Sequence, residues 1–326
     1  MRLPFETAPL LNHYLGKAYS LGIIQGNAGD RSLPWIYSRY INCIFHPSAE
    51  NQFDFYTPDY WGRSDHILTE QRMLLQRETY GIMGLDILRF VRDLLDRGVY
   101  VYGTNNERYI PGKSSYPSQD YLHEYILFGY SDDKHSFLSC GYLADRHYRE
   151  FEILYDDYLR SLMNTTDGMI KFSFWQYCQQ AEFALDIPHI VVELSDYLHS
   201  VNTQRVQQNG LHYGLDAVIK LMECLAKQIR NEGRADIRYT KAFWGHKKLM
   251  NQRLQYLRTA GFDMEPDWLE QTAEHEKKAQ QIHLLCIRQN FKGTPSSAEY
   301  IEKRFTEILQ GERHILPAVL ERLKSG

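Results

Sequence analysis

Gln119-Asp-Tyr-Leu-His-Glu-Tyr-Ile-Leu-Phe-Gly-Tyr-Ser-Asp-Asp-Lys-His-Ser-Phe-Leu-Ser-Cys-Gly-Tyr-Leu143 decides the fold class. Tyr121 to Tyr130 is aromatic and aliphatic, as a buried strand would be. Ser131-Asp132-Asp133-Lys134 is a polar hairpin turn, and Ser136 to Tyr142 reads as the returning strand. Asp145-Arg146-His147 makes a second turn, and Phe151 to Tyr155 a third strand. Short apolar runs separated by polar turns predict an antiparallel meander. His123 stands at the head of the first strand, where a titratable side chain is well placed for chemistry.

Upstream, Val99 to Thr104 reads as another strand, and Asn105 to Tyr121 as a loop, with Pro111, Gly112, Pro117 and several serines. Such a loop could serve as a lid over a site. Leu85, Leu88, Val91, Leu94 and Leu95 share one helical face, which predicts a helix over 85–97 capped by Gly98. Further helices are predicted over 65–80 and 8–24, with Asn51 to Tyr60 turn-rich. Trp35 to Phe45 ends as a strand. Downstream of about 157 helical periodicity takes over, predicting helices over 157–163, 170–185, 191–199, 215–229, 241–260, 266–291 and 297–323. The fold class expected is α+β: an antiparallel sheet with packed helices over residues 1–160, then a helical domain over 161–326.

The segment Leu122-His123-Glu124-Tyr125-Ile126-Leu127-Phe128-Gly129-Tyr130-Ser131-Asp132 resembles one branch of the papain-like cysteine enzymes, the butirosin-biosynthesis H-type acyltransferases and small proteins of nonribosomal peptide gene clusters. Gly98-Val99-Tyr100-Val101-Tyr102, Glu107-Arg108-Tyr109-Ile110-Pro111 and Leu33-Pro34-Trp35-Ile36-Tyr37-Ser38-Arg39-Tyr40-Ile41 are similar to the same branch, as are Asp236-Ile237-Arg238 and His246-Lys247-Lys248-Leu249-Met250. The resemblance implies a papain-like domain with His123 as catalytic base. It also implies a nucleophilic cysteine at the start of an early helix, but this chain has no cysteine before Cys43. Cys43 and Ser20 are therefore the candidate nucleophiles. Cys43 lies in an apolar, strand-like run, where a thiol is usually a small hydrophobe. The orienting Asp or Asn should follow the hairpin, yet Phe137 to Tyr142 holds neither.

Composition bounds the rest. The chain has 326 residues, a net charge of −4, 24 tyrosines and five scattered cysteines without a Cys-x-x-Cys pair. That profile argues against nucleic-acid binding, a disulfide framework and a structural zinc site. The first residues lack a signal-peptide core, and no apolar run approaches the roughly 20 residues that span a bilayer. The expectation is a cytoplasmic protein without membrane, metal or cofactor. His123, His135 and His147 fall near turns or strand ends, and His46 and His66 are scattered, so they make no ligand set.

Arg234, Arg238, Lys241, Lys247, Lys248, Arg253 and Arg258 are opposed only by Asp236. Arg238, Lys241, Lys247 and Lys248 are candidates for docking an acidic partner, for which the resemblance suggests an acyl or peptidyl carrier protein with its phosphopantetheine thioester. A solvated helix face is the plainer interpretation. Three functions are carried forward: an accessory acyl or peptidyl transferase or thioesterase-like enzyme of secondary metabolism, a non-catalytic binding protein of the same fold, and base-assisted transfer without a covalent intermediate.

Overall fold

The structure is a computed structural model. It describes residues 1–48, 52–56, 67–204, 210–292 and 297–325. The chain separates into two compact units, Met1–Asp30 with Asp59–Glu182, and Arg31–Pro58 with Phe183–Gly326. Residues 161–182 thus fall with the sheet, and 31–58 with the helices, unlike a single division at 160.

The first unit is built on a six-stranded antiparallel sheet. Its strands are β3 (Leu68–Gln76), β4 (Val99–Asn106), β5 (Leu122–Ser131), β6 (Ser136–Tyr142), β7 (Tyr148–Leu154) and β8 (Met169–Tyr177), in the order β3-β8-β4-β5-β6-β7. The expected meander is β5-β6-β7. Two expected helices are largely paired strands: β3 takes most of 65–80, of which only 77–80 are helical, and β8 takes the first part of 170–185, in register from Leu68 opposite Tyr177 to Gln76 opposite Met169. Phe172, Phe174 and Trp175 favour the pleated, half-buried surface that β8 occupies between β3 and β4. Position 65 and His66 lie outside the described residues, as do Asn51 and 57–60 of the turn-rich stretch.

The helices of this unit are α1 (Leu15–Ala28), α3 (Arg77–Met83), α4 (Ile87–Asp96) and α5 (Tyr155–Met163). Asp86 caps α4 by accepting the Arg89 N–H at 3.0 Å, satisfying one of the free donors of its first turn. Ile87, Val91 and Leu95 recur every fourth residue and are buried with Val101, Leu127, Phe137, Tyr158 and Phe172. That stripe is the reason α4 forms where it does.

In the second unit β1 (Cys43–Phe45) lies between β2 (Phe53–Phe55) and β9 (His212–Tyr213). The expected strand ending at Phe45 is therefore its last three residues only; Leu33–Tyr37 forms the short helix α2, with Pro34 in its first turn. The helices α6 (Ile187–His199), α7 (Gly214–Glu232), α8 (Ile237–Thr259), α9 (Pro266–Lys292) and α10 (Ser297–Ser325) follow. One core joins Leu221, Leu225, Phe243, Leu254, Phe305 and Leu316. Among the described residues no helix is long and apolar enough to cross a membrane.

Candidate functional site

His123 opens β5 opposite Asn105 of β4. The next residue, Asn106, is buried and ties down the base of the loop between these strands. Its side-chain oxygen accepts the N–H groups of Arg108 at 3.2 Å and Tyr121 at 3.1 Å. Its amide donates to Asp120 Oδ1 at 2.9 Å and to the Asn164 carbonyl at 2.8 Å. The Glu107 N–H donates to the Tyr121 carbonyl at 2.9 Å. Both ends of the 107–121 loop are thereby held together, and Glu107 is delivered beside His123.

Glu107 Oε1 lies 2.9 Å from His123 Nδ1 and 2.9 Å from Lys113 Nζ. Burial raises the carboxyl's affinity for a proton, but the contacts with His123 and Lys113 outweigh it and hold Glu107 below the usual carboxylate range. An ionised carboxylate only accepts, so Nδ1 carries a proton, and in the neutral ring Nε2 is then the nitrogen with the lone pair. Nε2 makes no hydrogen bond among the described residues, and the His123 side chain is 32% exposed against 6% for Glu107. The Tyr121 ring leans on the imidazole at 5.1 Å between centroids. In its neutral form an imidazole so oriented and accessible can take a proton from an attacking group.

Lys113 fixes the far side of this pair. Its ammonium also donates to the Tyr142 carbonyl at 3.1 Å and lies 5.0 Å from the centre of the Phe151 ring. A Cβ on Gly141 would stand 3.2 Å from Lys113 Nζ and 3.5 Å from Tyr19 Oη, so a bare glycine leaves room for the lysine. One ammonium and one histidine share the buried carboxylate.

Neither expected nucleophile makes a hydrogen bond to His123 among the described residues. Cys43 belongs to the other unit, is 1% exposed in its core, and burial raises its thiol pKa strongly, so the thiolate is suppressed. Ser20 is buried in α1 and its hydroxyl donates to the Lys17 carbonyl at 3.1 Å. Burial pushes the Cys140 thiol up to about 11. The orienting acid comes from upstream of His123, not from the strand after the hairpin. Glu107 was visible only as part of a resembling segment, and Lys113 and Asn106 carry no motif. Their convergence depends on the β4–β5 register and on the Asn106 contacts.

The basic run does not form one solvated face, because two of its cations are interior. Lys247 is completely buried, 2.6 and 2.7 Å from the Glu312 carboxylate oxygens and 2.9 Å from Tyr197 Oη. Arg253 is 2% exposed and donates to the carbonyls of Tyr37 at 2.6 Å, Arg39 at 2.6 Å and Tyr40 at 3.3 Å, at the end of α2. Arg238 pairs with Asp236 at 2.7 Å. Burial lowers Lys241 to about 8, and Lys248 is half-buried. The reason is that α8 buries more than one face, so Lys247 and Arg253 serve interior acceptors. Among the described residues no group of three or more His, Cys, Asp or Glu could hold a metal ion.

No protein-family model matches the chain, and no curated protein matches it.

Proposed function

We propose that the sheet unit is a papain-like domain in which His123, oriented by Glu107, acts as general base in acyl or peptidyl transfer from a carrier-protein thioester, as an accessory step of secondary-metabolite biosynthesis. The observation that carries this is the 2.9 Å contact between His123 Nδ1 and an ionised, lysine-braced Glu107, with Nε2 left free. Since Cys43 and Ser20 are sequestered, direct transfer fits better than a covalent intermediate. An amine or water attacks the thioester carbonyl and gives its proton to Nε2. The new C–N or C–O bond forms, the C–S bond breaks, and the departing thiolate recovers the proton from the imidazolium.

The test is incubation with acyl-pantetheine thioesters, with and without amine acceptors, following free thiol, acylated acceptor and intact protein mass. Acylated acceptor with unmodified protein is expected, falling about 100-fold or more in His123→Ala. A trapped acyl-enzyme would refute direct transfer, and no turnover of any thioester would refute the enzyme. A non-catalytic carrier-binding protein is the second function, favoured by Lys113, which neutralises Glu107 without any catalytic need. Salt-sensitive carrier binding without turnover would establish it. Charge reversal belongs at Lys248 there, since Lys247 is interior.

A further inference from the structure

In the helical unit, the C-terminal end of α6, the start of α7 and the last turns of α10 enclose a groove of about 460 Å³ lined by Leu198, His199, Ser200, Leu215, Arg313, Pro317, Leu320, Glu321 and Lys324. The volume falls within the range of small-molecule sites. Leu215 and Leu320 are buried members of the helical core, and Leu198 packs against it, so the floor is apolar. The walls are polar and unequal in charge. Lys324 is neutralised by Glu321 at 2.7 Å. Arg313 is exposed, and no carboxylate among the described residues lies within ion-pairing distance of it.

Pro317 adds a second feature. It lies inside α10 and faces the groove. A proline has no N–H to offer the carbonyl four residues earlier, which here belongs to Arg313. Arg313 therefore stands one turn before the break in the ladder, with its guanidinium unpaired among the described residues.

We propose that this groove binds a small amphiphile with an apolar body and a single carboxylate head. The body would lie on Leu198, Leu215 and Leu320, and the carboxylate would take the two-pronged donor set of Arg313. A monoanion fits better than a phosphate dianion, because one cation is unpaired and Glu321 faces the same space. The observations are independent of the His123 site, which lies in the other unit.

The experiment is methyl NMR of the full chain titrated with sodium octanoate, octyl phosphate and octan-1-ol, with Arg313→Gln in parallel. Octanoate should shift the methyls of Leu198, Leu215 and Leu320 saturably and bind more tightly than the other two. Arg313→Gln should weaken octanoate about tenfold, the size of one charge-assisted contact, and leave octanol unchanged. Arg313 is exposed, so spectra away from the groove should not move. Octanoate binding no tighter than octanol would overturn the proposal. So would preference for octyl phosphate, shifts confined to other methyls, or full octanoate affinity in Arg313→Gln.

Discussion

Lys113 is the residue on which the Glu107–His123 pair depends most. Removing it leaves a buried carboxylate with no fixed cation beside it, so Lys113→Met should destabilise the sheet unit by about 3–5 kcal/mol in denaturant unfolding. Lys113→Arg should recover part of that. If Lys113→Met costs less than 1 kcal/mol, the ammonium does not neutralise Glu107. Glu107 also carries a pH signature. Its folded pKa is depressed, so its contribution is complete above the unfolded carboxylate pKa and is lost as pH falls through the folded value. Lys113 and Glu107 could not have been paired from sequence, because nothing in Pro111-Gly112-Lys113 marks that lysine as interior. His123 was legible, because a histidine at a strand head stands out against an apolar run.

At the scale of elements, α6 titrates in the opposite sense. Glu193 Oε2 accepts the Asn42 N–H at 3.1 Å, Oε1 accepts from the Gln204 amide, and burial with help from Asp196 raises its pKa to about 7. Between the unfolded pKa and about 7, the unfolded chain releases this proton while the folded one keeps it. The helical unit should therefore lose stability as pH rises through that window, by up to about 3 kcal/mol. Glu193→Gln should flatten the slope between about pH 5 and 7; an unchanged slope would assign it to other groups. The elements legible in sequence are those with a repeating buried stripe, such as α4 and α7, or an uninterrupted apolar run, such as β5. β3 was not, since an edge strand with exposed Leu74 at 62% shows no clean alternation. β8 was missed because its partners β3 and β4 are far away in sequence.

At the scale of the molecule, each unit hides a charged group in its interior. Lys247, Glu312 and Tyr197 join α8, α10 and α6 at the centre of the helical unit. Breaking such a pair from one side is costly, whereas replacing both ions with apolar groups is often neutral. Lys247→Met should cost about 3–5 kcal/mol, and adding Glu312→Leu should restore most of it. Additive losses in the double variant would show that the pair itself holds the helices. A charge count along the chain suggested a basic surface here, because counting cannot tell a solvated lysine from one meeting an acid 65 residues away. The α+β class was legible, while the three crossings of the chain between units were not. Residues 31–58 lack any composition shift that would set them apart.

The central claim is that Glu107 holds His123 with Nδ1 protonated and Nε2 open as a base. The direct measurement is the 15N shift of both ring nitrogens in the neutral imidazole of the intact protein. The account predicts a protonated, pyrrole-like Nδ1 and a pyridine-like Nε2, with this preference lost in Glu107→Ala. A proton on Nε2 with Nδ1 as acceptor would contradict it, leaving His123 as a donor and removing the base from the proposed transfer.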